Sequence, residues 1–575
     1  MQTIHIMSDS IEKKDSNSSK RASVGKGEIH NILSNRVTNH VTTNLDALAV
    51  ADDKKAERLL KEAQANLELV AETGYSPELR RNFSIVSLLG IGFGITNSWF
   101  GILGSLVAGI SSGGPMMIIY GIIIVAVFSV FIGVTLSELS SAYPNAAAQI
   151  YWAQKLAPPK YARACAYFTG ILLAAGSTFT TASVNMTSAT AIVGMYMLHH
   201  PEKTIERWQV FIVYEVITVL LVFFNIYEKP LPMISSTTLY TSLFSFVVIT
   251  IVVLSMHDGD FQSPHFVFVE FNNGTGWSSS AIAFIVGLIN PNWSFSCLDA
   301  ATHIAEESLS PATDIPKAIL GTVAIGFITS FTYSIAMFFS IKNLDEILSS
   351  NTGVPILDIY YQATNSKAAA VGLEFLILLT SLGCSIGCST WASRIIYSFA
   401  RDNGLPLSKV WAKVDSRTGN VVNAHLLSNF WVMVIGCIYL GSSTAYNSIL
   451  ISCVTFLLLS YLIPTVFLVF KRNKIRHGPF WLNGFGLVCN IGLIVWAIFA
   501  FVFYNFPNVM PVTGSNMNYS SGVFGVCLIF SVADWTLRGR HQYTSLEERE
   551  KVKDELALQV SNQITNIQSI VSNRH

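Results

Sequence analysis

The chain has 575 residues, of which 51% are hydrophobic and only 13% charged, against the ~25% charged that is usual in a soluble protein. Its 36 Lys and Arg balance its 36 Asp and Glu, which excludes an electrostatic claim on nucleic acid. Such a composition belongs to one polytopic membrane bundle, not to several soluble domains.

Residues 1–82 are polar, with twelve Lys or Arg and twelve Asp or Glu, and hold no apolar run that could act as a secretory signal. They are expected to form an N-terminal cytoplasmic tail, in which Leu59, Leu60, Ala63, Leu67 and Val70 are spaced for an amphipathic helix within 47–75. From Phe83 onward, spans long enough to cross a ~30 Å hydrocarbon core recur. Twelve are predicted, at 84–108, 116–137, 164–196, 208–227, 237–256, 281–303, 318–341, 371–397, 424–441, 447–470, 485–505 and 520–537. The third is long enough to be tilted or to extend beyond the bilayer. The expected organisation is therefore an all-α transmembrane domain of twelve helices over 83–537 and a C-terminal cytoplasmic tail over 538–575. In that tail Val552, Leu556, Val560, Ile564, Ile567 and Val571 are spaced for a second amphipathic helix.

Basic residues test the orientation, because they stay on the cytoplasmic side. With the N-terminus inside, the inner loops hold thirteen Lys or Arg (155, 160, 163, 229, 317, 401, 409, 413, 417, 471, 472, 474 and 476), and the outer loops hold Lys203, Arg207, Lys342 and Lys367. The asymmetry predicts an even number of spans and cytoplasmic termini. The glycosylation triplets at Asn273 and Asn518 then fall in outer loops. All eight cysteines lie in predicted spans and read as small core residues. Cys384-x-x-x-Cys388 lacks the further ligands a metal site needs, and no cofactor motif is present.

Two spans are interrupted. Span 1 carries Gly90, Gly92, Gly94 and Gly101 around Thr96, Asn97 and Ser98; span 6 carries Asn290, Pro291 and Asn292 before Trp293, Ser294, Phe295 and Ser296. Interruptions at corresponding places of two five-helix halves point to an inverted-repeat transporter whose broken helices expose backbone groups at the midplane. The competing reading is close helix packing at the glycines and a simple kink at Pro291. Ionisable groups inside the spans are few and costly. Asp299, two turns beyond Asn292, reads as counter-charge to a cation or as a proton carrier, or else as a structural partner of His303 or Arg394. Glu215 and Glu374 are less specifically placed. Trp99, Phe100, Trp293 and Phe295 flank the breaks, with Phe179 and Trp391 as further walls. Three ring faces on an organic cation contribute roughly 2–6 kcal/mol, short of the ~8 kcal/mol of micromolar binding, so a carboxylate or the broken-helix carbonyls would supply the rest. A membrane-embedded enzyme lacks its convergent catalytic set, since His303 has no nucleophile partner.

The entry segment Ala71–Tyr75 through Arg81-Asn82-Phe83-Ser84, the span-2 exit Glu138-Leu139-Ser140-Ser141-Ala142-Tyr143-Pro144 and the run Phe399-Ala400-Arg401-Asp402-Asn403-Gly404-Leu405-Pro406 resemble the fungal amino acid/choline transporters of the amino acid-polyamine-organocation superfamily. The resemblance covers Phe83 to Leu537. It implies a LeuT-like five-plus-five inverted repeat with two further helices, plasma-membrane residence and import of choline, with ethanolamine as a second substrate. The same framework serves permeases for GABA or a biotin precursor, and a nutrient receptor or channel on this scaffold is the reading from another class. Thr96, Asn97, Ser98, Trp99, Phe100, Asn292, Trp293, Ser294, Phe295, Ser296 and Asp299 would bind substrate, and Arg401 and Asp402 would belong to an inner gate. Span 5 has no Lys of the kind that replaces a sodium ion in some members, and a proton is the expected coupling ion.

Overall fold

The computed structural model describes residues 78–549, together with Glu62, Asn66 and Tyr75. The amphipathic helix expected within 47–75 falls largely outside the described residues, and the one expected through 552–571 falls wholly outside them. Residues 78–549 belong to one compact unit, built almost entirely of helices.

Eleven helices among the described residues are long and apolar enough to cross a membrane. They correspond to every predicted span except the sixth. Span 6 consists instead of Ser280–Gly287 and Ile289–Ser294, an irregular stretch, and a 3₁₀ segment Ala300–Glu307. Among the described residues the predicted twelve are thus all found, ten as uninterrupted helices and two, spans 1 and 6, as broken ones. Span 3 runs over Pro159–His199, 41 residues, or roughly 60 Å at the α-helical rise, twice the hydrocarbon thickness. It extends well past a bilayer, as its length in the sequence suggested. Span 12 starts at Ser520 and continues through a π turn at Trp535–Gly539 into Arg540–Gln542, so a tail beginning at 538 would start inside a helical turn.

Burial orders the spans. In the apolar 18-residue stretch of span 1 (Ile85–Ser111) 83% of the residues are buried inside the protein, and in that of span 12 only 11%. Span 1 is therefore the axis of the bundle, and span 12 presents apolar side chains such as Ile529 and Leu537 outward, as a lipid-facing helix does. The C-terminal ends of the even spans converge on an Arg-rich end, which also receives residues 78–83. The opposite end carries a two-residue antiparallel ladder, Ser112–Gly113 with Asn272–Asn273.

Candidate functional site

Span 1 begins at a reciprocal cap. The Ser84 hydroxyl accepts from the Ser87 N–H and the Ser87 hydroxyl from the Ser84 N–H, satisfying two of the helix's orphan donors. The first segment ends at Asn97, whose φ of 36° and ψ of 61° are left-handed. Asn is the ordinary residue that tolerates this conformation after Gly. The chain then resumes as Ser98–Gly101, a 3₁₀ turn Ile102–Ser105 and a last helical piece Leu106–Ser111.

The break in span 6 lies elsewhere than the sequence suggested. Pro291 is buried within the first turn of Ile289–Ser294, where its missing N–H breaks no intrahelical bond. The helix is interrupted after Ser294, with Cys297 at φ 65° and Asp299 leading into the 3₁₀ segment. The two broken spans meet directly. A Cβ on Gly101 would lie 2.6 Å from Ser294 Cα, and the Asn290 amide donates to the Ile102 carbonyl and to Ser105 Oγ, both at 2.8 Å.

Around the first break, Trp99 Nε1 donates to Ser242 Oγ and that hydroxyl donates to Asn97 Oδ1, both at 2.9 Å. Trp99 stands edge-on to Tyr333 at 5.2 Å. Thr96 Oγ1, Asn97 Nδ2 and Ser98 Oγ are buried without a protein partner, so this break holds polar groups available to a ligand or water. Ser98 and Phe295 meet over Gly326 of span 7 (Pro311–Phe339).

A cavity of about 560 Å³ lies between spans 1, 3, 6, 8, 9 and 10, on the side of the Ser112 ladder. Of the residues expected to bind substrate, only Trp293 lines it, half-buried with its ring against Gly104. Thr96, Asn97, Ser98, Trp99 and Phe100 are buried and do not line it. Ser294 and Ser296 donate their hydroxyls to the carbonyls of Pro291 and Asn292 and do not face the cavity. Asn292 sits beside Tyr504. Phe295 is buried, Phe179 packs on Phe456 and Trp391 lies fully inside. Trp99, Trp293 and Phe295 therefore do not form one cage in this conformation. Tyr439, Tyr446 and Glu374 also line the cavity. The tyrosines carry no local motif that would have distinguished them from core aromatics.

Asp299 does not line the cavity. Its Oδ1 accepts from Tyr461 Oη at 2.6 Å and its Oδ2 faces His303 Nε2 at 3.0 Å, while His303 Nδ1 faces the Ala146 carbonyl at 2.8 Å. Of the partners weighed from sequence, His303 takes Asp299 and Arg394 goes elsewhere. Both imidazole nitrogens point at acceptors, so a proton belongs between Nε2 and Oδ2.

The Arg-rich end is closed by ion pairs. Arg394 binds Glu307 through Nε and Nη2 at 2.7 and 3.2 Å and also reaches Asn420. Arg401 holds Glu306 in two bonds of 2.7 and 2.9 Å, and Arg472 holds Glu138 in two of 2.6 Å. Asp402 pairs with Arg549. The two residues expected at an inner gate thus lie in this network, Arg401 against span 6 and Asp402 against the segment after span 12. Glu138, Glu306, Glu307, Arg394, Arg472 and Arg549 are members that sequence reading did not assign to it, although an acidic pair leaving span 6 and an arginine late in span 8 were visible. Of the two glycosylation triplets, Asn273 is exposed. Asn518 is 5% exposed and its amide donates to the carbonyls of Tyr504 and Phe506, so it offers no acceptor surface.

Two interlocked broken spans, a cavity open toward one end and ion pairs sealing the other define a multi-pass membrane permease. The chain belongs to the amino acid permease family, whose profile matches residues 83–531. It is 56% identical over 477 residues to the choline transporter of Saccharomyces cerevisiae, covering 83% of this chain and 85% of that one. It is 34% identical over 512 residues to the 7-keto 8-aminopelargonic acid transporter of the same yeast (78% and 91%) and 32% identical over 472 residues to the swainsonine transporter of Arthroderma benhamiae (82% and 93%). These relatives are transporters, in line with the expectation of a permease over an enzyme.

Proposed function

We propose that the chain imports choline, with ethanolamine as a second substrate, across the plasma membrane by alternating access, with both termini in the cytoplasm. The observation that carries this reading is the 56% identity to a choline transporter over 83% of the chain. Identity to the 7-keto 8-aminopelargonic acid transporter, at 34%, gives weaker support to a biotin precursor. Thirteen basic residues in one set of loops against four in the other favour placing the Arg-rich end inside, which makes this conformation outward-open.

In this reading choline enters the cavity past Tyr439 and Tyr446 and rests its quaternary head on Trp293, which hydrogen bonds cannot hold but a ring face can. Thr96, Asn97 and Ser98 do not line this cavity, and their unpaired groups meet the substrate's hydroxyl only as it moves inward past Trp293. The pairs Arg394–Glu307 and Arg401–Glu306 form the inner gate and must part for release. A proton is the coupling ion, and the Asp299–His303 pair is its carrier, supported by the proton that their geometry calls for.

The test is uptake of labelled choline in cells lacking their own permease, with ethanolamine, GABA and biotin precursors as competitors and with pH and sodium varied. Saturable, concentrative choline uptake that rises with an inward proton gradient is expected. Background uptake despite surface expression would refute the choline assignment. Non-saturable flux would favour a channel, and signalling that persists without transport a receptor.

A further inference from the structure

The cavity lining contains one ionisable carboxylate, Glu374, and no Lys, Arg or His. Glu374 sits in the first turns of span 8 (Lys367–Arg401). It is 1% exposed, and its Oε2 has no hydrogen-bond partner. Glu228 also has an unpartnered Oε2, but its Oε1 accepts from the Arg80 N–H, and neither it nor the half-buried Glu215, whose two oxygens are unpartnered, lines the cavity; the remaining buried acids are paired. Glu138, Glu306, Glu307 and Asp402 each hold an arginine, Asp299 holds His303 and Tyr461, and Asp358 accepts from Thr352 Oγ1 at 2.6 Å. A buried carboxylate is ordinarily paired or bound to a cation. Among the described residues no cationic side chain lines the cavity beside it or acts on it electrostatically. Tyr333 and Tyr360, hydrogen-bonded to each other through their hydroxyls, lie within its electrostatic reach, as does a second acid, Asp358.

We infer that Glu374 is the counter-charge that selects an organic cation in this cavity, its missing partner being the substrate's ammonium head. This deepens the choline reading and rests on it. It places the charge recognition at the opening of span 8 and leaves Asp299 free for proton work. Trp293, Tyr439 and Tyr446 supply ring faces in the same cavity, so a cation there meets aromatic surfaces and one negative charge. A neutral or anionic substrate gains nothing from that charge. The zwitterionic members of the candidate set carry a carboxylate that Glu374 repels, and ethanolamine, a cation with N–H donors, is accepted.

The test compares choline uptake with its inhibition by the uncharged choline isostere in which carbon replaces nitrogen. Wild type comes first: absent choline uptake refutes the choline reading itself and leaves Glu374 to be judged on whatever cation is transported. Given uptake, Glu374→Gln should raise the KM for choline by about 10- to 100-fold, the order of a close charge–charge contact in a partly buried site, with little change in the inhibition constant of the isostere. Glu374→Asp should keep the preference for the charged form. A structural role would weaken both ligands alike. Unchanged choline-to-isostere selectivity in Glu374→Gln would overturn the inference. If that variant fails to reach the membrane, the wild-type protein decides through modification by dicyclohexylcarbodiimide, read by mass spectrometry on the peptide 368–394. Choline should slow the modification of Glu374, and an equal rate with saturating choline would overturn the inference as surely.

Discussion

Arg394 and Glu307 are 1% and 0% exposed, and this sets the size of the effect expected when their pair is broken. Removing one member of a buried ion pair costs about 3–5 kcal/mol, because the other charge is left buried without compensation. In Glu307→Gln the amide oxygen still accepts from Arg394, which places the cost at the lower end, about 3 kcal/mol. That cost falls on the conformation closed at the Arg-rich end, because the pair joins span 8 to the end of span 6 there. At 1.4 kcal/mol per factor of ten, the ratio of open to closed at this end should move by on the order of 100-fold. Cys297 reports the change. It is 2% exposed in the closed form and lies at the break of span 6. Its alkylation by a membrane-impermeant maleimide applied to the Arg-rich face, read peptide by peptide, should accelerate strongly in Glu307→Gln. The double variant Glu307→Gln with Arg394→Gln leaves neither member of the pair as an uncompensated charge and should label more slowly than either single variant. Labelling within twofold of wild type in the single variants, or a double variant whose effect equals the sum of the two, would refute the assignment of this pair to the gate.

Glu228, between spans 4 and 5, gives a pH signature. Burial and then the charge of Glu307 push its carboxyl up to about 7, above the roughly 4.3 of a free Glu. The folded chain thus keeps a proton there that the unfolded chain has lost. This contribution to stability is full below about pH 4.3 and disappears as pH rises through about 7. Glu228→Gln should flatten that part of the pH dependence in thermal unfolding of the purified protein, and an unaltered slope between pH 5 and 8 would contradict it. Gly101→Ala sets a Cβ 2.6 Å from a backbone atom of Ser294, an overpacking of about 1–3 kcal/mol. Lower thermal stability together with reduced uptake is expected, whereas wild-type values for both would argue against the close approach of spans 1 and 6. Trp293→Leu keeps an apolar side chain but removes the ring face, worth about 0.5–2 kcal/mol, so the KM for choline should rise roughly 2- to 30-fold. An unchanged KM would remove this ring from the site.

The positions of the spans were legible because each needs about twenty apolar residues, a signal too long to mimic. The break in span 1 was legible for a local reason: Asn97 is a residue that adopts the left-handed conformation cheaply. The break in span 6 was misplaced for an equally local one. Proline is the visible helix breaker, yet in a first turn it breaks nothing, whereas Cys297 adopts φ 65° without any residue preference to announce it. The site was less legible than the fold. Ser294 and Ser296 look like ligand-binding hydroxyls in the sequence, but on a helix such hydroxyls can return to carbonyls three or four residues back, and here they do. Asp299 stood out as an acid near a break, while Glu374, with nothing around it in sequence, gains meaning only when the lining of the cavity beside it is found to offer no cationic side chain.

The charge distribution explains how one broken helix can serve both ends. Up to Ser294, span 6 faces the cavity through Trp293 and is fastened to span 1 by Asn290 and the Gly101 contact. Beyond Cys297 it carries Glu306 and Glu307 into the arginines of span 8. The first half is held by close packing, which tolerates no gradual displacement. The second is held by ion pairs, which can exchange partners or water as a unit. A continuous helix would transmit any parting of those pairs directly to Trp293. The irregular stretch around Cys297 separates the two, so the Arg-rich end can open while Trp293 keeps its place against span 1.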